Sequence, residues 1–287
     1  DKAKSISSDR ASVRWTEARI LLKQKKVDDA LALAKKANKL FPKDVEGMGV
    51  LGACLKASGN FDESSKYLNK AIKIKPTYAE ALINRALISL AQKDKPSALS
   101  DLENAHKLKP HIKQIWHLIL NLKMEAKEFA NVIKLAQGMI KIDPLDEKIF
   151  TFMALCHQYL KDYDQAESFY KKALSIKPDN AEIYYNMGAV LKDSGKLDEA
   201  LWAYTKAISL KPDYAEAYNN LGVALKDQGK LDEAIEVHKK ALEIKPDFAE
   251  LYFNMGVVLK DQGKLEEANK AYKKAIAFKP DYAEAYS

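Results

Sequence analysis

The sequence predicts an all-α solenoid, a stack of helix–turn–helix repeats, and three observations predict it. Eight of the nine prolines (Pro42, Pro76, Pro110, Pro144, Pro178, Pro212, Pro246 and Pro280) stand 34 residues apart. Small residues recur at the same three places of nearly every 34-residue window. Between them, apolar residues follow the 3,4-spacing of an amphipathic helix. Chance does not space prolines in this way, and a period of this length marks stacked supersecondary units.

With proline at place 32, the repeats are 11–44, 45–78, 79–112, 113–146, 147–180, 181–214, 215–248 and 249–282. An extension, 1–10, precedes them. Residues 283–287 (Ala283-Glu284-Ala285-Tyr286-Ser287) begin a ninth repeat and stop.

Each repeat reads as two helices, and 215–248 shows the reasoning. The first helix runs from Ala215 to about Gln228, with Ala217, Tyr218, Leu221, Gly222 and Leu225 on its apolar stripe. Gly229-Lys230 ends it, because glycine enters the left-handed conformation that terminates helices. The second helix runs from about Asp232 to Ile244. Asp232 and Glu233 lie beside its positive end, and Pro246 prevents continuation. Pro96 departs from the period but falls where the second helix of 79–112 should begin, a position that tolerates proline.

The pairing of the two helices follows from the small places. Place 8 is Ala18, Gly52, Ala86, Ala154, Gly188, Gly222 and Gly256. Place 20 is Ala30, Ser64, Ala98, Ala166, Ala200, Ala234 and Ala268, and place 27 is Ala37, Ala71, Ala105, Ala173, Ala207, Ala241 and Ala275. Side chains this small let helix axes approach, while Leu191, Leu225, Tyr204 and Tyr272 fill the spaces between. Repeat 113–146 breaks all three places, with Leu120, Val132 and Met139. It predicts either wider helix separation or a compensated core.

The residues Tyr184, Met187, Gly188, Leu191, Ala200, Tyr204, Ala207 and Pro212 of 181–214, repeated across 11–282, resemble the tetratricopeptide repeat (TPR) family. The resemblance implies a right-handed superhelix, with first helices lining a concave groove and second helices outside. The repeats of 181–282 are most similar to those of O-GlcNAc transferase-type proteins, through Tyr-x-Asn-x-Gly and Leu-Lys-Asp-x-Gly-Lys-Leu-(Asp/Glu)-Glu-Ala.

Under that geometry places 2, 5, 6, 9, 12 and 13 face the groove. Place 6 is Asn84, Asn186, Asn220 and Asn254. Helix propensity does not favour a repeated mid-helix asparagine. A carboxamide carries donor and acceptor side by side, so a ladder of them could grip an extended peptide backbone, and the resemblance implies that role for Asn186, Asn220 and Asn254. The alternative is that they satisfy only local polar groups. Lys192, Lys226 and Lys260 at place 12, with Asp193, Asp227 and Asp261 at place 13, could read a ligand's side chains or pair with Glu182, Glu216 and Glu250. Leu118 and Phe152 at place 6, with Leu87 and Leu155 at place 9, predict an apolar patch, which competes with a core reading. A chaperone-type carboxylate clamp is not expected. Asn84-Arg85 matches one corner, but Thr16 and Val50 stand where the preceding asparagines belong.

Composition narrows the function. The 287 residues are 47% hydrophobic and 30% charged, enough to build a core. No apolar run approaches the ~18 residues of a membrane span. The chain starts Asp1-Lys2-Ala3-Lys4-Ser5, without Met or signal peptide, and reads as a piece of a longer cytoplasmic protein. The net charge of +7 divides into +10 for 1–180 and -3 for 181–287, and 1–44 is the most basic stretch. Solvated lysines account for the excess, with an acidic partner segment as the alternative. Because 181–282 is slightly acidic, a nucleic-acid partner is not expected.

Cys54 and Cys156 are too few for a disulfide framework. No GxxxxGK[ST], HExxH or CxxC motif occurs, and the five histidines show no ligand spacing. The expectation is therefore no catalysis, no cofactor and no metal. The chain is expected to be a protein–protein interaction scaffold that binds a peptide or partner segment in its groove. The alternative is the substrate-recruiting arm of a larger enzyme, such as a glycosyltransferase. End-to-end self-association through an uncapped final repeat is a third possibility.

Overall fold

The computed structural model describes residues 2–281, with side chains described from Ala11 onward. All regular structure among these residues is α-helical, as an all-α TPR solenoid requires. The chain divides into two compact units, 1–127 and 128–287, the division falling at the turn inside repeat 113–146. The start of a ninth repeat at 283–287, and the self-association inferred from it, lie outside the described residues.

The N-terminal unit holds α1 (Lys2–Lys23), α2 (Val27–Leu40), α3 (Val45–Ala57), α4 (Phe61–Ile74), α5 (Ala79–Ala91), α6 (Lys95–Leu108) and α7 (Lys113–Glu125). The extension 1–10 is helical from Lys2 and runs into the first helix of repeat 11–44. Trp15, Ala18, Ala30, Ala34, Ala37, Leu51, Cys54 and Leu55 form one core cluster. Trp15 also donates from its indole Nε1 to Asp44 Oδ2 at 2.8 Å, so this large buried ring keeps its polar atom satisfied. Pro96 lies in the first turn of α6, whose N-cap Asp94 accepts from Ser97 N.

The C-terminal unit holds α8 (Phe129–Ile142), α9 (Glu147–Tyr159), α10 (Tyr163–Ile176), α11 (Ala181–Asp193), α12 (Leu197–Leu210), α13 (Ala215–Asp227), α14 (Leu231–Ile244), α15 (Ala249–Asp261) and α16 (Leu265–Phe278). Its helices pack in antiparallel pairs, α11 with α12, α13 with α14 and α15 with α16.

The small places behave as their size requires. Ala200, Ala207, Ala234 and Ala241 are fully buried. At place 8 a side chain would collide: a Cβ on Gly188 would sit 2.7 Å from the Tyr204 ring, one on Gly222 2.5 Å from His238, and one on Gly256 2.6 Å from Tyr272. Glycine at place 8 and a ring at place 24 are thus one packing unit, and the ring fills the space the missing side chain leaves. In 113–146 the larger Leu120, Val132 and Met139 are also buried.

In seven of the repeats the inner turn closes in one way. The N–H of place 16 reaches back to the carbonyl of place 11, as in Lys196 to Leu191 at 2.8 Å and Lys230 to Leu225 at 2.9 Å. This six-to-one bond needs a left-handed residue at place 15. Gly195, Gly229 and Gly263 supply it with φ of 80°, 77° and 76°. Lys25, Lys93, Lys127 and Lys161 adopt the same conformation without being glycine.

Candidate functional site

In the C-terminal unit the first helices touch in series, α11 with α13 and α13 with α15. That contact brings place 6 of one repeat beside place 5 of the repeat before it. Asn220 Nδ2 donates to the Tyr185 hydroxyl at 3.2 Å, and Asn254 Nδ2 donates to Asn219 Oδ1 at 2.9 Å. Asn219, almost fully buried, donates in turn to Glu250 Oε1 at 3.1 Å. Burial pushes the Tyr185 phenol above its ordinary pKa, and the bond from Asn220 opposes that rise.

These bonds revise the sequence reading. Local partners do account for part of the repeated asparagine, because Asn220 and Asn254 use their donors inside the protein. Their Oδ1 atoms remain as acceptors, held in place by the fixed Nδ2. Asn186 makes no such bond, and its carboxamide keeps both functions. All three are half-buried.

Asn84, in the N-terminal unit, differs. Its Oδ1 accepts from Lys56 Nζ at 2.8 Å and its Nδ2 donates to the Glu80 carbonyl at 2.9 Å. Arg85 turns away from it. The guanidinium clasps Asp101 with two bonds of 2.7 Å and reaches Asn69 at 2.7 Å. Asp101 is buried, so this fork is a structural pair between second-helix residues and α5.

The paired charges settle differently from the alternative read in the sequence. Lys192 pairs with Asp193 at 3.1 Å and Lys226 with Asp227 at 3.4 Å, each with its own neighbour in the chain. Glu216 instead pairs with Lys245 at 3.3 Å, and Glu250 accepts from Asn219. Lys260 and Asp261 are exposed.

Of the apolar candidates, Leu118 and Leu87 are half-buried in the N-terminal unit and Phe152 and Leu155 in the C-terminal one. Val50, which stands at place 6 of 45–78, is 3% exposed and belongs to the core.

The expectation that the chain holds no G-x-G-x-x-G string is corrected at one place. Gly47-Met48-Gly49-Val50-Leu51-Gly52 has the G-x-G-x-x-G spacing of dinucleotide sites. It lies inside helix α3 rather than in a strand-to-helix loop. Each glycine there admits a neighbour: a Cβ would come 2.3 Å from Trp15, 2.5 Å from Tyr78 and 2.7 Å from Leu68. The spacing serves packing, not phosphate.

Cys54 and Cys156 are buried, which pushes their thiols to about 11 and about 12 and leaves them protonated at neutral pH. His157 bonds Asp162 at 3.1 Å and stacks on Phe169. Among the described residues no group of three His, Cys, Asp or Glu is placed to hold a metal. Nor is any helix among them long and apolar enough to cross a membrane.

Comparison with known proteins places this architecture. A TPR-repeat family model matches residues 159–195, 190–229, 224–263 and 258–287, and a tetratricopeptide-repeat model matches 21–88. Among curated proteins, the BBSome complex member BBS4 of Bos taurus is 23% identical over 173 residues, 60% of this chain. The chain spans only 33% of that relative's length. Among solved structures, MamA is similar with 28% identity and a TM-score of 0.53, over 58% of this chain and 97% of MamA. The APC/C hetero-tetramer Cut9-Hcn1 shares the fold at 16% identity and a TM-score of 0.61, over 94% of this chain and 53% of that one. With family models matching both units, a helix pair closed by the same turn in successive repeats, and the small places buried throughout, the chain belongs to the tetratricopeptide-repeat family.

Proposed function

We propose that this protein is a non-enzymatic scaffold whose first helices hold an extended segment of a protein partner. The observation that carries the reading is the row Asn186, Asn220 and Asn254. Two of its carboxamides spend Nδ2 on bonds to the preceding repeat, which leaves their oxygens as acceptors. An extended peptide offers backbone N–H groups along its length, and such oxygens can take them with little regard to sequence. The charged pairs Lys192–Asp193 and Lys226–Asp227 flank the row and supply side-chain contacts. Phe152 begins the same face one repeat earlier with an apolar surface. That a curated relative is a member of a protein complex agrees with a binding role.

The affinity follows from the chemistry. A net hydrogen bond contributes about 0.5–1.5 kcal/mol, and ordering a flexible segment costs several kcal/mol. Micromolar binding is expected.

The test is affinity capture from a cell extract with the wild type, an Asn186/Asn220/Asn254→Ala triple variant and Tyr185→Phe. The phenylalanine variant removes the bond that orients Asn220 but keeps its carbonyl. Partners should be lost with the triple variant and retained, more weakly, with Tyr185→Phe. Partners held equally by the triple variant and the wild type would eliminate the row as the gripping element, provided circular dichroism shows both folded.

A second reading, the recruiting arm of a larger enzyme, rests on the Tyr-x-Asn-x-Gly signature at Tyr184, Tyr218 and Tyr252. The full reading frame of the gene decides it.

A further inference from the structure

The N-terminal unit contains a cleft of about 470 Å³ that the asparagine row does not reach. It opens at the starts of α3 and α5, and two glutamates and three cations line it. Its volume is that of a small ligand or of one or two inserted side chains.

Other repeats show how a lysine at the same place can be neutralised. The lysine at place 31 of a repeat pairs with a glutamate at place 1 or 2 of the same repeat in three cases. Lys109 pairs with Glu80 at 2.5 Å, Lys177 with Glu147 at 3.7 Å, and Lys245 with Glu216 at 3.3 Å. In repeat 45–78 that glutamate is Glu46, and Arg19 from the preceding repeat has taken it, at 2.6 Å. Lys75 is left without a carboxylate. Its ammonium lies 6.0 Å from the centre of the Tyr78 ring, on the wall of the cleft.

The surroundings favour a negative occupant. Arg19–Glu46 and Lys109–Glu80 are balanced pairs, so Lys75 gives the cleft its one net charge. Burial pushes the Glu80 carboxyl up, but the bond from Lys109, a backbone bond and the charges of Lys109 and Arg19 together outweigh it and hold the group below its ordinary range. The start of α5, which no side chain caps, adds the positive end of a helix dipole, whereas that of α3 is already met by Asp44. Thr77 and Tyr78 supply hydroxyls beside Lys75. The whole unit, 1–127, carries 25 Lys and Arg against 14 Asp and Glu, a net of +11, which would draw an acidic chain toward it.

We propose that this cleft binds a carboxylate of an acidic segment in a protein partner, with Lys75 as the cation that reads it. The proposal rests on the scaffold reading, but not on the asparagine row.

The experiment uses the intact chain and a fluorescein-labelled, glutamate-rich peptide, with fluorescence anisotropy at low and physiological salt. The wild type should bind it, and the matched glutamine peptide should bind about ten-fold more weakly. Lys75→Gln should weaken glutamate-peptide binding about five- to ten-fold. Lys211→Gln is the control, since Lys211 also occupies place 31 and lies over a tyrosine, 4.4 Å from the Tyr214 ring, but does not line the cleft. It should change binding by less than about two-fold. The Asn186/Asn220/Asn254→Ala variant should keep the wild type's preference for the glutamate over the glutamine peptide, whatever backbone contacts it loses. Absence of binding by the wild type, equal binding of the glutamine peptide, equal losses in the two lysine variants, or binding of a phosphoserine peptide alone would each overturn the proposal. Loss of that preference in the asparagine variant would assign the peptide's carboxylates to the row, and would also overturn it.

Discussion

His238 stands where Tyr170, Tyr204 and Tyr272 stand in other repeats, beneath a small residue of the facing helix. It is fully buried and neither ring nitrogen has a partner. Burial lowers its pKa from 6.5 to about 4. The folded state therefore holds this imidazole neutral while the unfolded chain protonates it below about 6.5. Between the two values the unfolded state binds more protons, so stability rises with pH and falls as pH drops from 6.5 toward 4. Each pH unit in that window corresponds to about 1.4 kcal/mol. His238→Tyr should remove this slope, because the neighbouring repeats show that a phenol ring fits the place. In urea titrations, the variant's advantage over wild type should grow by about 2–3 kcal/mol between pH 7 and pH 4.5. Parallel profiles would acquit His238. The period located this residue in a packing position. That a histidine's two nitrogens go unsatisfied there is a property of the neighbours it meets. The asparagine row shows the same limit: its register was legible, but Tyr185 and Asn219 as partners were not, because they stand 35 residues away in sequence.

At the scale of the element, the turn at place 15 separates two kinds of repeat. Gly59, Gly195, Gly229 and Gly263 take the left-handed conformation freely, whereas Lys161 takes it at φ 60°. A non-glycine residue pays roughly 1–2 kcal/mol for that conformation, and glycine's extra freedom in the unfolded chain offsets roughly half of it. Lys161→Gly should therefore stabilise the protein by about 0.5–1 kcal/mol, read as a higher urea midpoint with unchanged slope. A lower midpoint would show that the Lys161 side chain contributes more than its backbone costs. The sequence marks this turn by glycine in four repeats. In the others only the alignment of the 34-residue period identifies it, since lysine carries no turn signal of its own. Pro96 is the converse, a residue outside the period whose place in the first turn of α6 follows from its chemistry alone.

Across the molecule, stability should be a sum over neighbouring repeats rather than a single cooperative core. Ala241 is fully buried on α14, the helix paired with α13. Ala241→Leu should overpack that pair and cost about 1–3 kcal/mol. The damage should stay local. Hydrogen exchange should quicken in α13–α16 and remain unchanged in α3–α6. A uniform rise along the chain would refute the neighbour-limited account, and an unchanged melting temperature would refute the placement of Ala241.

By itself the sequence determined the repeat length, the two helices in each repeat, the small places where they meet and the family they belong to. Each of these depends on residues within one 34-residue window. Only tertiary structure decided where the polar and charged groups go. Arg19 reaches Glu46 in the next repeat and thereby strands Lys75. Arg85 turns from Asn84 to Asp101. The apolar residue that closes most of the second helices stays exposed, with Leu40 at 60% and Phe278 at 49%, although Ile176 packs on the core. Such outcomes are set by which side chains from neighbouring helices arrive at the same place, and a periodic sequence holds those alternatives equal until the helices pack.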